Sequence, residues 1–209
     1  MNWKVISFIL LIALLGCKKD PIQFKIAGKI NDTSFNTGLS GASVAIYQVL
    51  AGTTKKVLVT TVTTDSDGNY TVAFNRDQVE KYYIDCSKDN YFSTEKLVYF
   101  SDLTTDKTNT VNIDIEAIAT VNWVIKNQPP AQATDIFQIQ KLNGKTDCDA
   151  CCVNKIYEYD GASINETLTC QTKGNTYLKF IKIDKQLNSS TLDSIYCPAF
   201  QSVNYPVNY

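Results

Sequence analysis

The chain has 209 residues, 20 basic against 21 acidic side chains, a formal net charge of −1, and no histidine. This near-neutral balance gives no electrostatic case for binding nucleic acid. The missing histidine excludes Ser-His-Asp and Cys-His nucleophile systems, His-ligated zinc and the ordinary near-neutral general base.

The chain opens Met1-Asn2-Trp3-Lys4, runs apolar from Val5 to Leu15 apart from Ser7, and closes on Leu14-Leu15-Gly16-Cys17. A positive start, a short apolar stretch and a small residue at the cut make residues 1–16 a secretory signal. The apolar run is shorter than the roughly 20 residues that span a bilayer. With a cysteine directly after the cut, the segment resembles a bacterial lipoprotein signal, in which that thiol receives a diacylglycerol. The resemblance implies lipidation at Cys17, a tether over residues 17–21, and the membrane as a partner through the N-terminal lipid. Each buried acyl CH₂ contributes about 0.8 kcal/mol, so two or three chains anchor stably. Lys18-Lys19-Asp20 resembles the start of many lipoproteins of the Bacteroidota phylum. The expected location is the outer membrane, on its periplasmic face or at the cell surface.

Removal of residues 1–16 leaves 193 residues carrying 19 basic and 21 acidic side chains, enough for one large domain or two small ones. Apolar residues recur with a period of two. Tyr70, Val72 and Phe74 alternate with Thr71 and Ala73, and Val121, Trp123 and Ile125 with Asn122 and Val124. Such alternation suits a sheet with one buried face. Between turn signals the first half reads as strands at about 23–30, 42–49, 56–63, 70–74, 82–86, 96–100 and 111–115. The second half reads as strands at 119–126, 135–140, 153–159, 163–169, 176–183 and 194–197. Residues 76–82 could form one short helical turn. No Gly/Ser linker separates the sets. The expectation is an all-β chain of two closely joined antiparallel β-sandwiches, residues 22–116 and 117–209.

The first unit carries Gly28, then Gly41-Ala42-Ser43-Val44, then Thr64-Asp65-Ser66-Asp67-Gly68-Asn69-Tyr70. This order of a glycine-bearing strand, a G-A-x-V strand and a T-D-x-x-G-x-Y hairpin resembles the carboxypeptidase regulatory-like domains, which are prealbumin-like sandwiches. The resemblance spans residues 22–116 and implies a fold without catalytic residues. Residues 117–209 form a cysteine-containing unit with no comparable pattern.

Beyond Cys17 the cysteines are Cys86, Cys148, Cys151, Cys152, Cys170 and Cys197. An even count in an exported chain makes all six disulfide candidates. Adjacent Cys151 and Cys152 would point to opposite faces of a strand and take different partners. A zinc ribbon would need a second close pair, which Cys170 and Cys197 do not form. Asp65-Ser66-Asp67-Gly68-Asn69 looks like a calcium loop, but its twelfth position is Arg76 where an EF-hand needs glutamate. It reads as a tight turn in which Gly68 supplies positive φ. Lys25 or Lys29 with Asn112 could mimic the Lys–Asn crosslink of some adhesin repeats; solvent-facing positions are the expectation. Tyr82, Tyr83, Tyr157, Tyr159, Tyr196, Tyr205 and Tyr209 suit core and rim positions, or contact with sugar or protein. Asp193-Ser194-Ile195 looks like a short O-glycosylation motif.

No catalytic residue, metal or cofactor is expected. The function expected is that of a non-enzymatic, lipid-anchored envelope protein presenting β-sandwiches to an envelope protein or glycan, with no nucleic acid partner. Two alternatives stand beside it: a glycan-processing enzyme built on two carboxylates, and a structural spacer or adhesin stalk.

Overall fold

The computed structural model describes residues 21–209, so the signal expected at residues 1–16 and the lipidation expected at Cys17 lie outside the described residues. The first half comprises β1 Gln23–Asp32, β2 Thr37–Gly38, β3 Ser43–Leu50, β4 Lys56–Thr63, β5 Asn69–Asn75, β6 Val79–Ser87, β7 Tyr91–Phe92, β8 Thr94–Tyr99 and β9 Asn109–Thr110. A long strand, β10 Ile113–Lys126, leads into the second half. There β11 Ile136–Lys141, β12 Ile156–Asp160, β13 Asn165–Lys173, β14 Thr176–Asp184, β15 Ser189–Cys197 and β16 Ser202–Asn208 follow. The one helical element among the described residues is a 3-10 turn at Phe100–Asp102, and residues 79–82, expected as part of a helical turn, begin β6.

The all-β expectation holds, and the sheets are mostly antiparallel. One sheet of the first sandwich runs β4-β3-β6-β8. It faces a layer in which β1 pairs antiparallel with β5 and parallel with β9 and the start of β10. In the second sandwich the end of β10 lies between β13, antiparallel, and β16, parallel. That layer faces the sheet β12-β11-β14-β15. Alternation on each strand fills two separate cores. Phe24, Ile26, Ile46, Tyr82, Ile84 and Ile115 lie in the first, and Val121, Trp123, Ile125, Ile139 and Phe180 in the second.

The sequence reading broke the chain between residues 115 and 119. The structure instead runs one 14-residue strand through that boundary. No Gly, Pro or Asx turn interrupts Ile113 to Lys126, and the alternation never slips. Ile113 and Ile115 enter the first core, while Ala119, Val121, Trp123 and Ile125 enter the second. All seven odd-numbered positions from Ile113 to Ile125 are buried.

Loops beside the strand complete a waist. Ala117 N donates to Ser34 Oγ (3.0 Å), and Asn175 Nδ2 donates to the Ser34 carbonyl (3.1 Å). Gly174 N donates to the Ala117 carbonyl (2.7 Å) and Phe200 N to that of Ile118 (2.7 Å). The Phe200 ring stacks on Phe35 at 5.7 Å and meets Tyr91 edge-on at 5.3 Å. Tyr91 in turn donates its hydroxyl to the buried Asp32 carboxylate (2.7 Å). Contacts of this kind, made by both sandwiches, oppose bending at the junction.

Candidate functional site

A concavity on a sheet face lies outside the first core, on β4-β3-β6-β8. Inward positions of these strands, Val44, Ile46, Tyr82, Ile84 and Val98, are committed to the core. The intervening side chains must therefore face solvent. Register sets them in rows. Ala45 lies opposite Thr61 on one side and Asp85 on the other, and Asp85 lies opposite Glu95. The next row reads Leu58, Tyr47, Tyr83, Leu97. Ala45 is the smallest side chain in this arrangement. Around it opens a hollow of about 420 Å³ whose lining includes Tyr47, Thr61, Asp85, Glu95, Ser43 and Thr94.

The electrostatics of the hollow are unbalanced. Burial, and then the neighbouring Glu95 carboxyl, push the Asp85 pKa above the usual carboxylate range. Asp85 Oδ1 is buried without a hydrogen-bond donor. Its polar neighbour Glu95 is another carboxyl, so the two can bond only by sharing a proton. Glu95 is meanwhile the acceptor for Lys56 Nζ, a bond that holds the Lys56 pKa up. That ammonium also sits 4.0 Å from the centroid of the Tyr83 ring.

A larger cleft of about 560 Å³ opens at the waist, lined by Glu116, Asn143, Gly144, Lys145, Asp147 and Lys173 among others. Its charges are already matched. Glu116 receives Lys173 at 3.1 Å and Lys145 at 3.5 Å, and Lys145 also meets Asp147 at 2.9 Å. This network braces the junction.

Four of the six cysteine candidates are joined, Cys148 to Cys151 and Cys152 to Cys170. The adjacent pair does take different partners. Cys86 and Cys197 correct the expectation, because both remain thiols. Cys86 is fully enclosed in the first core and Cys197 in the second, so the two cannot meet, and the cysteines that share the second core with Cys197, Cys152 and Cys170, are already joined to each other. Burial pushes the Cys86 pKa up to about 11 and raises that of Cys197, which keeps both protonated.

The Asp65 loop is a turn. Asp65 Oδ1 accepts from the backbone of Asn69 (2.8 Å) and Asp67 (2.9 Å), and Gly68 has φ +82°. Those bonds, that of Asn69 foremost, lower the Asp65 pKa. Among the described residues no group of three or more His, Cys, Asp or Glu side chains could hold a metal ion. Lys25, Lys29 and Asn112 are all exposed, and Asn112 Oδ1 accepts from the backbone N–H of Lys29 at 2.9 Å. Tyr82 is wholly buried and Tyr159 nearly so, whereas Tyr196 is exposed. Asp193 of the Asp-Ser-Ile triplet accepts from Lys182 (2.8 Å) and from the Tyr205 hydroxyl. The lysine bond, then the tyrosine bond, lower the Asp193 pKa to about 2.

Sequence reasoning missed the Asp85–Glu95 pair. Its members are ten positions apart, and only the register of β6 with β8 sets them face to face. It also missed Lys141, which is 1% exposed and whose Nζ donates to the Lys145 carbonyl at 2.7 Å. A signal was present there, since Phe137, Ile139 and Lys141 share one parity.

No protein-family model matches the chain, and no curated protein matches it. Among solved structures the chain is similar to the shaft pilin SpaA of Lactobacillus rhamnosus GG. The identity is 12% and the TM-score 0.37, over 89% of this chain and 97% of that one. It is also similar to GBS52, the minor pilin of Streptococcus agalactiae, at 11% identity and TM-score 0.38, covering 88% of this chain and 94% of that one. The Bacillus anthracis TIE protein aligns at 11% identity and TM-score 0.38 over 90% of this chain. This chain spans only 34% of the TIE protein's length. Similarities this loose assign no family, residue role or activity.

Proposed function

We propose that the chain is a non-enzymatic, lipid-anchored protein of the outer-membrane envelope whose paired β-sandwiches present a surface for protein or glycan binding. The observation that carries this reading is strand β10, which supplies buried side chains to both cores. With the interlocked loops at the waist, it makes the two sandwiches one stiff unit. A stiff unit on a short lipidated tether would hold a binding face in a defined orientation to the membrane.

The chemistry of the chain supports a binding role over a hydrolytic one. Glycosidases keep their two carboxyls at least about 5 Å apart so that sugar or water fits between them. Asp85 and Glu95 instead face each other directly across neighbouring strands, and Glu95 is already the acceptor for Lys56. Stiffness alone would also serve a spacer; the unbalanced hollow on an open sheet face favours presentation.

The test is to express the wild type and Cys17→Ser with a labelled fatty acid, fractionate the cells, and assay binding to isolated envelope fragments. The wild type should carry label, sediment with membranes and bind the fragments, and the variant should lose label and membrane retention. Unchanged labelling and retention in Cys17→Ser would contradict the anchor. Sugar release from oligosaccharides that disappears in Glu95→Gln would contradict the non-enzymatic role.

A further inference from the structure

We propose that the hollow over Ala45 is a saccharide site that takes a neutral, hydroxyl-rich sugar residue of a glycan. This rests on the presenting role above and names its ligand. A sugar offers an apolar face of C–H groups and a rim of hydroxyls, so its site needs an apolar wall beside closely spaced donors and acceptors. The hollow has both. The Ala45 methyl and the Tyr47 ring supply the apolar part, and Ser43, Thr61, Thr94 and the two carboxyls supply the polar part.

Asp85 decides the chemical class. Its Oδ1 is buried without a donor, and its carboxyl neighbour is itself an acceptor. An orphaned buried acceptor is costly, and a ligand donor would recover that cost. An anionic ligand would meet two carboxyls whose one neighbouring cation, Lys56, is already engaged by Glu95, and would be repelled. Hydroxyl groups donate without adding charge. A peptide strand is a poorer fit, because its N–H groups lie in the sheet plane and pair at a sheet margin, whereas this opening looks out from the sheet face. Leu58, Tyr83 and Leu97 continue the row beyond Tyr47. Leu58 and Leu97 extend the platform for the next residues of an oligosaccharide, the face of Tyr83 being taken by the Lys56 ammonium.

The purified chain is titrated calorimetrically with cellohexaose, xylohexaose, mannohexaose and chitohexaose. At least one should bind saturably. Ala45→Phe and Thr61→Met each plug the hollow and leave both carboxyls in place, and Asp85→Ala removes the orphaned acceptor. Each should weaken binding by about tenfold or more, while Asp193→Asn on the second sandwich should leave it unchanged. Two plugs are used so that misfolding of one, read by circular dichroism, still leaves a decision. The proposal is overturned if no hexasaccharide binds, if a folded plug variant binds like the wild type, or if this face captures only a protein. Binding to whole envelope fragments without hexasaccharide binding would remove the sugar site and leave the presenting role standing. Binding to neither would remove both.

Discussion

Gly68 offers the sharpest test of how the first sandwich is held together, because two separate costs fall on one position. Its φ of +82° is one that L-residues rarely adopt, which costs roughly 1–2 kcal/mol once a Cβ is present. The added Cβ would also sit 2.6 Å from Leu39 N and 2.7 Å from the Ile30 carbonyl oxygen. Those two atoms hydrogen-bond to each other at 2.8 Å. The methyl group would wedge that bond apart, and a buried pair left unmade costs about 1–3 kcal/mol. Gly68→Ala should therefore destabilise the chain by about 3 kcal/mol. Gly41 is the control, because its φ is +69° and nothing lies within 4 Å of an added Cβ. Gly41→Ala should cost only the backbone term, about 1 kcal/mol. Urea unfolding followed by tyrosine and tryptophan fluorescence, with and without millimolar calcium, measures both. Equal losses at the two sites would refute the crowding argument. A calcium-dependent rise in stability that requires Asp65 and Asp67 would show that the loop binds metal.

Other expectations follow from the crosslinks and the charges. The Cys152–Cys170 disulfide spans a sequence separation of 18, so loop entropy predicts that a Cys152→Ser/Cys170→Ser double variant loses about 3 kcal/mol in urea unfolding. A loss below about 1 kcal/mol would show that the loop stays ordered without it. The raised Asp85 pKa means that the folded chain binds more protons than the unfolded one, so this group's contribution falls as pH rises from about 3.8 through the raised value. Asp85→Asn should remove that slope from the stability–pH curve, and an unchanged curve would contradict the burial argument. Asp193 has the opposite sign: its pKa falls from 3.8 to about 2, so its contribution is present above pH 3.8 and is lost as pH falls toward 2. Asp193→Asn should flatten the acid limb in that window, and an unaltered limb would contradict the Lys182 and Tyr205 pairing.

The fold class was legible because alternation needs no long-range information. Val121, Trp123 and Ile125 declare a half-buried strand wherever their partners lie. Pairings were less legible. The parallel placement of β16 beside β10 joins residues about 80 positions apart, and Pro206 within it argues against a strand when the sequence is taken alone. Pro206 fits because β16 pairs with β10 alone, and a strand at a sheet margin has no second ladder to lose. The even cysteine count suggested three bridges, yet Cys86 and Cys197 are ordinary small apolar residues in separate cores. For the same reason the Asp65 turn could be read from its own residues, whereas the Asp85–Glu95 contact could not. It exists only through the register of two strands.

The claim on which the account most depends is that β10 and the waist hold the two sandwiches as one stiff unit. Spin labels on exposed positions of each, Thr61→Cys on the first and Ser190→Cys on the second, allow their separation to be measured by pulsed electron paramagnetic resonance. The buried thiols of Cys86 and Cys197 should stay unlabelled. The account predicts one narrow distance distribution, broadened by Ala117→Pro, which removes the N–H donated to Ser34 Oγ. A broad or two-peaked distribution in the chain with an intact waist would contradict it.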